Sequence, residues 1–210
     1  MLTELSGSAV EMLRLARETS WRNFGKRITF YLPGMINYEG KRGRYPAISI
    51  TGRRCQLNCA HCRATILEPM IVAETPEQLV QECLDLHAAG NLGCLITGGS
   101  LRDGRLPWHP FVDAIREVKE RTDLDISIHT GLIDYATARE LKGAGVDHAM
   151  MDLVGDDRTL SEVCHLDCGV GAIERSLEAM AGAGMSLVPH VIVGLHFGQI
   201  RGEPRALDMA

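Results

Sequence analysis

No apolar run in this 210-residue chain approaches the ~18 residues that a bilayer span requires, so no transmembrane helix is expected. The amino-terminal stretch MLTELSGSAVEMLRLARETS lacks a basic start and an apolar core, and it carries Glu4 and Glu11. It does not read as a secretory leader. With no address of either kind, the cytoplasm is the expected compartment, where thiols stay reduced. Positive charge is not in excess: a net charge of −5 argues against a general nucleic-acid-binding surface. Low-complexity tracts are absent, and a composition 45% apolar and 23% charged can bury a substantial core rather than remain disordered.

What is present is a rhythm. Residues 3–24 read as an amphipathic helix, with Leu5, Met12, Leu13, Leu15 and Ala16 near helical spacing. RITFYLPG reads as a short strand stopped by Pro33-Gly34, and NYEGKRGRYP as a loop. Residues 1–45 are therefore expected to be an extension ahead of a main body at 46–210. From Ala47 onward, AISIT, GCLIT, LDISIHT, DHAMMDLVG and SLVPHVIVGL read as strands. Between them, TPEQLVQECLDLHAAG, HPFVDAIREVKER, DYATARELKGAG and GAIERSLEAMAGAG read as helices. The first helix has Thr75 as N-cap, Pro76 at its first position, Gln78 completing a capping box and Gly90 at its end. Such alternation implies right-handed crossovers and a parallel sheet, so the fold class is α/β. About five βα units fit either an open sheet or part of a closed (β/α) barrel, and both place chemistry at the C-terminal ends of strands. The polar, glycine-rich stretches TGRRCQLNC, TGGSLRDG, HTGLID, DLVGDD and GLHFG all fall there.

Of seven cysteines, Cys55, Cys59 and Cys62 sit together just beyond the first strand. In a reduced compartment, such a cluster suggests metal or redox chemistry before disulfides. Three thiolates on one short loop can wrap one face of a soft metal centre and leave a position open, as a catalytic centre requires. The other reading is a closed zinc loop completed by His61 or a distant cysteine. His61 lies between two ligands, which weakens its claim to be the fourth.

CQLNCAHC after a first strand is similar to the CxxxCxΦC signature of radical S-adenosylmethionine (SAM) enzymes, with His61 where an aromatic residue usually stands. LITGGS resembles that family's GGE motif at Gly98 and Gly99, with Ser100 in place of the acid. VIVGL, containing Ile192 and Gly194, resembles its GxIxG stretch, and the likeness covers roughly residues 46–198. The resemblance implies a partial TIM-type barrel and a 4Fe–4S cluster on Cys55, Cys59 and Cys62, with SAM chelating the fourth iron. An electron from a donor of ferredoxin or flavodoxin type would then cleave SAM to methionine and a 5′-deoxyadenosyl radical. It also implies that Gly98, Gly99 and Ser100 meet the amino group of SAM. His61, Ile192 and Gly194 would line the adenosyl pocket, and Asp152 would meet the ribose. His129 either lines the cofactor pocket with Thr130 or is a satisfied strand-end histidine.

Longer segments, among them FYLPGMI, GCLITGGSLRDGRLPW, MMDLVGD and PHVIVGLHFGQIRGE, resemble a biotin-synthase-related group that includes one half of the two-protein lipoyl synthase. That resemblance implies sulfur insertion into a protein-bound octanoyl chain, with an octanoylated lipoyl-domain protein and a second radical SAM subunit as partners. The alternatives are biotin-synthase-like or other radical chemistry on a small molecule, or an inactive accessory protein that binds zinc or a cluster. Sulfur insertion commonly draws on a second iron–sulfur cluster. Cys83 and Cys94 read as core residues, whereas Cys164 and Cys168 would share a face of a helical turn and form a second metal site, or simply pack. His196 is the candidate near substrate and His190 a core residue. Arg53 and Arg54 read as solvated loop charges or partners of the SAM carboxylate. Barrels of this family have six βα units, so the core reads as C-terminally incomplete, with an open edge that predicts association.

Overall fold

The computed structural model of the protein describes residues 7–28, 30, 32, 34 and 37–210. It divides into two compact units, Met1–Tyr31 and Leu32–Ala210, a division that places residues 32–45 with the second. In the first unit, helix α1 (Gly7–Phe24) is braced by Arg14, which pairs with Glu11 at 2.7 Å and Glu18 at 2.5 Å. Residues 3–6 of the expected helix lie outside the described residues. So do Thr29, Tyr31 and Pro33 of the expected strand, while Ile28, Phe30 and Leu32 are not strand.

The second unit opens with a short antiparallel hairpin, β1 (Asn37–Tyr38) and β2 (Lys41–Arg42). Its body is a parallel sheet in the order β4-β3-β5-β6-β7-β8. The strands are β3 (Ala47–Ser49), β4 (Ile71–Val72), β5 (Gly93–Thr97), β6 (Asp125–His129), β7 (His148–Asp152) and β8 (Leu187–His190). Helices α2 (Pro76–Ala88), α3 (Val112–Arg121), α4 (Tyr135–Gly143) and α6 (Val170–Gly182) occupy the crossovers where the sequence places them. The result is the partial (β/α) barrel, with Ile48, Ile96, Ile126 and Ile128 fully buried in its strands. Leu79, Ile115, Leu141 and Met180 cover them from the helices, each such burial contributing about 1.5–3 kcal/mol. Cys83 and Cys94 are core residues too, fully buried with sulfurs 3.9 Å apart. The Thr75–Gln78 capping box forms reciprocally, and this fixes where α2 starts beyond the cysteine loop.

The hairpin lies in the segment NYEGKRGRYP expected to be a loop, and three further features depart from the sequence reading. The two-residue strand β4 adds an outer edge beside β3, too short to leave a period in the sequence. A six-residue helix, α5 (Asp157–Glu162), follows β7, its N-terminus capped by Asp156, which accepts from Thr159 N–H. Finally, β8 stops at His190 rather than running on to Leu195. Gly194 adopts φ +76, donating its N–H to Glu203 at 2.7 Å and accepting from Gly198 at 2.8 Å, so the chain turns there instead of extending. Helix α7 (Glu203–Met209) follows. No helix among the described residues is long and apolar enough to cross a membrane.

Candidate functional site

The cysteine loop is fastened before any thiol is reached. Leaving β3, Ser49 Oγ donates to the Gly52 carbonyl at 2.6 Å, and Thr51 Oγ1 donates to that of Arg54 at 3.0 Å. Thr51 Oγ1 also accepts the Gly99 N–H at 2.7 Å, so the loop after β3 is tied to the loop after β5. Gln56 N–H donates to the Ser100 carbonyl at 2.8 Å and repeats the tie. Gly99 must be glycine here: a Cβ would lie 2.0 Å from the Arg54 carbonyl oxygen and 2.6 Å from Cys55 Cα. The structure thus brings Gly98, Gly99 and Ser100 directly against the cysteine-bearing backbone.

The opposite flank is held by a segment that the sequence did not single out for this task. Ala60 N–H donates to the Val163 carbonyl at 2.7 Å, the Cys59 thiol to that of Cys164 at 3.2 Å, and His165 Nδ1 to that of Leu57 at 2.8 Å. Cys164 and Cys168 are therefore not on one helical turn. Helix α5 ends at Glu162, and His165 takes a left-handed φ of +55 that breaks any continuation. Cys164 instead packs against the cysteine loop. No local signal marks the clamp, because its contacts join residues more than a hundred positions apart.

Burial pushes the Cys59 thiol up to about 11, with Cys62, Cys55 and the Asp152 carboxylate adding to the effect and its own backbone hydrogen bond opposing it. Burial likewise pushes Cys164 up to about 12, helped by Cys59, Asp152, Cys62 and Cys168. Cys55 and Cys62 are half-buried. The three loop sulfurs do not lie within 4.8 Å of one another as a set. Three thiols on one loop, with Cys55 and Cys62 partly open to the rim, are a donor set that suits a soft iron–sulfur centre.

His61 is exposed and points to a cleft of about 300 Å³ lined by Ala60, His61, Val163, Ile192, Gly194 and Phe197, among others. Residues from the first and last loops of the barrel meet there, and His61, Ile192 and Gly194 are all part of its lining. Arg54 pairs with Glu74 at 2.6 Å, and Arg53 is exposed.

His129 and Asp152 sit at the C-terminal ends of β6 and β7, with His190 beside them at the end of β8. Asp152 Oδ1 lies 3.4 Å from His129 Nε2 and 3.6 Å from His190 Nδ1. Burial raises the Asp152 carboxyl, but His129, His190 and His61 together outweigh it and hold the group below its usual range. The structure reverses the order expected of the last two histidines. His190 is 42% exposed at this rim, whereas His196 is buried, with Nδ1 3.2 Å from Thr159 Oγ1 and its ring edge-on to Phe197. The cause is the early end of β8, which removes the strand alternation that would have paired them.

Comparison with known proteins places this geometry. The family model of the radical SAM superfamily matches residues 49–199. Among curated relatives, a biotin synthase of Leptospira interrogans is 25% identical over 163 residues, covering 75% of this chain and 46% of that protein. A biotin synthase of Methanococcus aeolicus is 25% identical over 123 residues, covering 55% and 38% respectively. The chain thus spans less than half the length of these relatives. Two solved structures share the fold. Methylornithine synthase has a TM-score of 0.61 at 17% identity, covering 92% of this chain and 53% of that one. The FeFe-hydrogenase maturase HydG from Carboxydothermus hydrogenoformans has a TM-score of 0.62 at 15% identity, covering 99% and 46%.

Proposed function

The chain belongs to the radical SAM superfamily, and from that premise we propose that it is a sulfur-inserting enzyme of the lipoyl-synthase type, acting on protein-bound octanoyl groups. The observation that carries the radical part is the cysteine loop itself: three thiols delivered by β3 to the C-terminal rim, on a backbone tied to Gly99 on one flank and to Val163 and His165 on the other. In this reading Cys55, Cys59 and Cys62 hold a 4Fe–4S cluster. When bound, the cluster and SAM supply one-electron reduction and a 5′-deoxyadenosyl radical able to take hydrogen from an unactivated carbon.

The chain's own residues orient and enclose. Gly98, Gly99 and Ser100 present backbone to the amino end of SAM, and Gly99 leaves room for the loop to approach. His61, Ile192 and Gly194 wall the adenosyl side of the cleft and exclude water from it. Asp152 accepts from the ribose hydroxyls, with His129 beside it. The partners are SAM, a ferredoxin- or flavodoxin-type donor, an octanoylated lipoyl-domain protein and a second radical SAM subunit, in the cytoplasm. A second iron–sulfur cluster as sulfur source belongs to this reading, without ligands assigned in this chain.

The biotin synthase relatives favour a second reading, sulfur insertion into a free small molecule. Anaerobic reconstitution tests the common part, with roughly four irons per chain and 5′-deoxyadenosine released on reduction as the expected result. One zinc held by the cysteine loop, lost when Cys55, Cys59 and Cys62 are replaced, with no response to SAM, would instead support the accessory-protein alternative. An octanoylated lipoyl-domain peptide then separates the substrates. Gain of sulfur on the peptide supports the lipoyl reading; sulfur gained by the free small-molecule precursor of biotin, with an unchanged peptide, removes it.

A further inference from the structure

The register of the last three strands places three metal-ligating side chains on one face. In the parallel ladder His129 is opposite Met150, and Asp152 is opposite His190. Side chains two apart on a strand share a face, so Met150 and Asp152 point the same way, and His129 and His190 join them. One donor atom from each of His129, Asp152 and His190 lies within 4.8 Å of the other two, a condition no other trio of His, Cys, Asp or Glu meets among the described residues.

We propose that His129, Asp152 and His190 form a mononuclear site for a divalent first-row transition ion, zinc or iron(II), separate from the cysteine loop. The spacing supports it. Asp152 Oδ1 is 3.4 Å from one imidazole nitrogen and 3.6 Å from the other. Donors on a tetrahedral ion with bonds of ~2.1 Å stand about 3.4 Å apart. Both separations are therefore compatible with one ion between the donors, and all three donor atoms fall within 4.8 Å of one another.

Donor chemistry points the same way. Two imidazoles and one carboxylate are borderline-hard ligands that suit zinc and iron(II), whereas the thiolate loop suits soft iron–sulfur chemistry. The side chains are 27%, 40% and 42% exposed for His129, Asp152 and His190, so an ion held here keeps coordination positions open toward the rim. Open positions mark a site that takes an exogenous ligand, here an anionic oxygen or sulfur group of a substrate. Both imidazoles address Oδ1 of Asp152, which leaves Oδ2 for a ribose hydroxyl. The site needs neither cluster nor SAM, so it stands or falls independently of the radical reading.

Zinc binding tests it directly. The full chain carrying Cys55→Ala, Cys59→Ala and Cys62→Ala is dialysed against zinc and its metal content measured by mass spectrometry. One zinc per chain is expected, with binding weakened by roughly a hundredfold when His129→Ala or His190→Ala is added. Cobalt(II) in place of zinc should give visible ligand-field bands without sulfur charge-transfer absorption. Ring nitrogen resonances of His129 and His190 should shift on zinc addition, a readout that needs no histidine variant to fold. The proposal is overturned if zinc is lost together with the three cysteines, or if those two rings do not respond.

Discussion

The two halves of the barrel rim are built in opposite ways. On the β3–β5 side, the chemistry lies in one loop: Cys55, Cys59 and Cys62 are near neighbours in sequence, and the surrounding backbone is shaped to them. On the β6–β8 side, His129, Asp152 and His190 come from three strands, and only the pairing of those strands brings them together. The first side resists change through backbone fit, as the crowding at Gly99 shows. The second depends on side chains at partly exposed positions. Local chemistry is announced by spacing, whereas convergent chemistry exists only once the register is known.

The largest expected effect breaks the first side alone. Replacing Cys55, Cys59 and Cys62 with alanine should take iron after reconstitution from cluster level, roughly four per chain, to at most the single ion of the His129–Asp152–His190 site, and abolish 5′-deoxyadenosine formation. The fold should persist, because the core is carried by residues such as Ile48, Ile96 and Ile128 elsewhere in the sheet. Iron analysis and circular dichroism check the two halves of that statement. Iron retained at wild-type level would mean that these thiols are not the ligands.

A smaller effect tests whether backbone fit holds the loop. Gly99→Ala puts a methyl 2.0 Å from the Arg54 carbonyl oxygen, which only movement of the loop can relieve. Overpacking of this kind costs about 1–3 kcal/mol, and iron uptake should fall with it. Gly184→Ala is the control: its φ is positive, at +71, unlike that of Gly99, and nothing lies within 4 Å of the new Cβ. It should cost only the backbone term of about 1–2 kcal/mol and leave iron uptake unchanged. Equal loss of iron from both variants would count against the fit argument.

What could be read from the sequence follows the same division. The cysteine loop, the Thr75–Gln78 box and the strands AISIT, GCLIT and LDISIHT are legible because each is specified within a few residues. Strand β4 and helix α5 are not legible, because two and six residues carry no usable period. The end of β8 is hidden because VIVGL is apolar and β-branched, yet Gly194 turns the chain to meet Glu203, a partner nine residues on. The Val163–His165 clamp and the His129–Asp152–His190 trio are long-range outcomes of packing. Their residues were visible one by one, and their combination was not.

The clamp is the next place to sharpen the contrast, since it is a convergent contact serving the local loop. His165→Ala removes the bond to the Leu57 carbonyl, a half-buried interaction whose loss costs about 0.5–1.5 kcal/mol. The global melt should shift little, while the reconstituted cluster should be lost faster on exposure to a chelator. His165→Asn, which keeps a donor, should recover part of that lifetime. If neither variant changes cluster lifetime, the segment is a bystander.

The smallest effect falls on the β7–β8 side, at Asp156. This residue caps α5 by accepting from Thr159 N–H at 2.8 Å, and Arg201, from the turn after β8, donates to it at 3.0 Å. Arg201 is the main reason its carboxyl is held down at about 2; burial opposes the shift and Thr159 adds to it. In the unfolded chain the group returns to about 3.9, so the folded state favours the charged form. The stabilisation is complete above the unfolded value and drains away as pH falls through about 4 toward 2. Asp156→Ala should therefore destabilise by about 1 kcal/mol at pH 7, in the range of a lost N-cap. That difference from wild type should shrink in denaturant melts as pH is lowered from 5 to 3. A gap that stays constant across that window would show that the charge on Asp156 contributes nothing beyond its geometry, and that Arg201 does not join the two loops electrostatically.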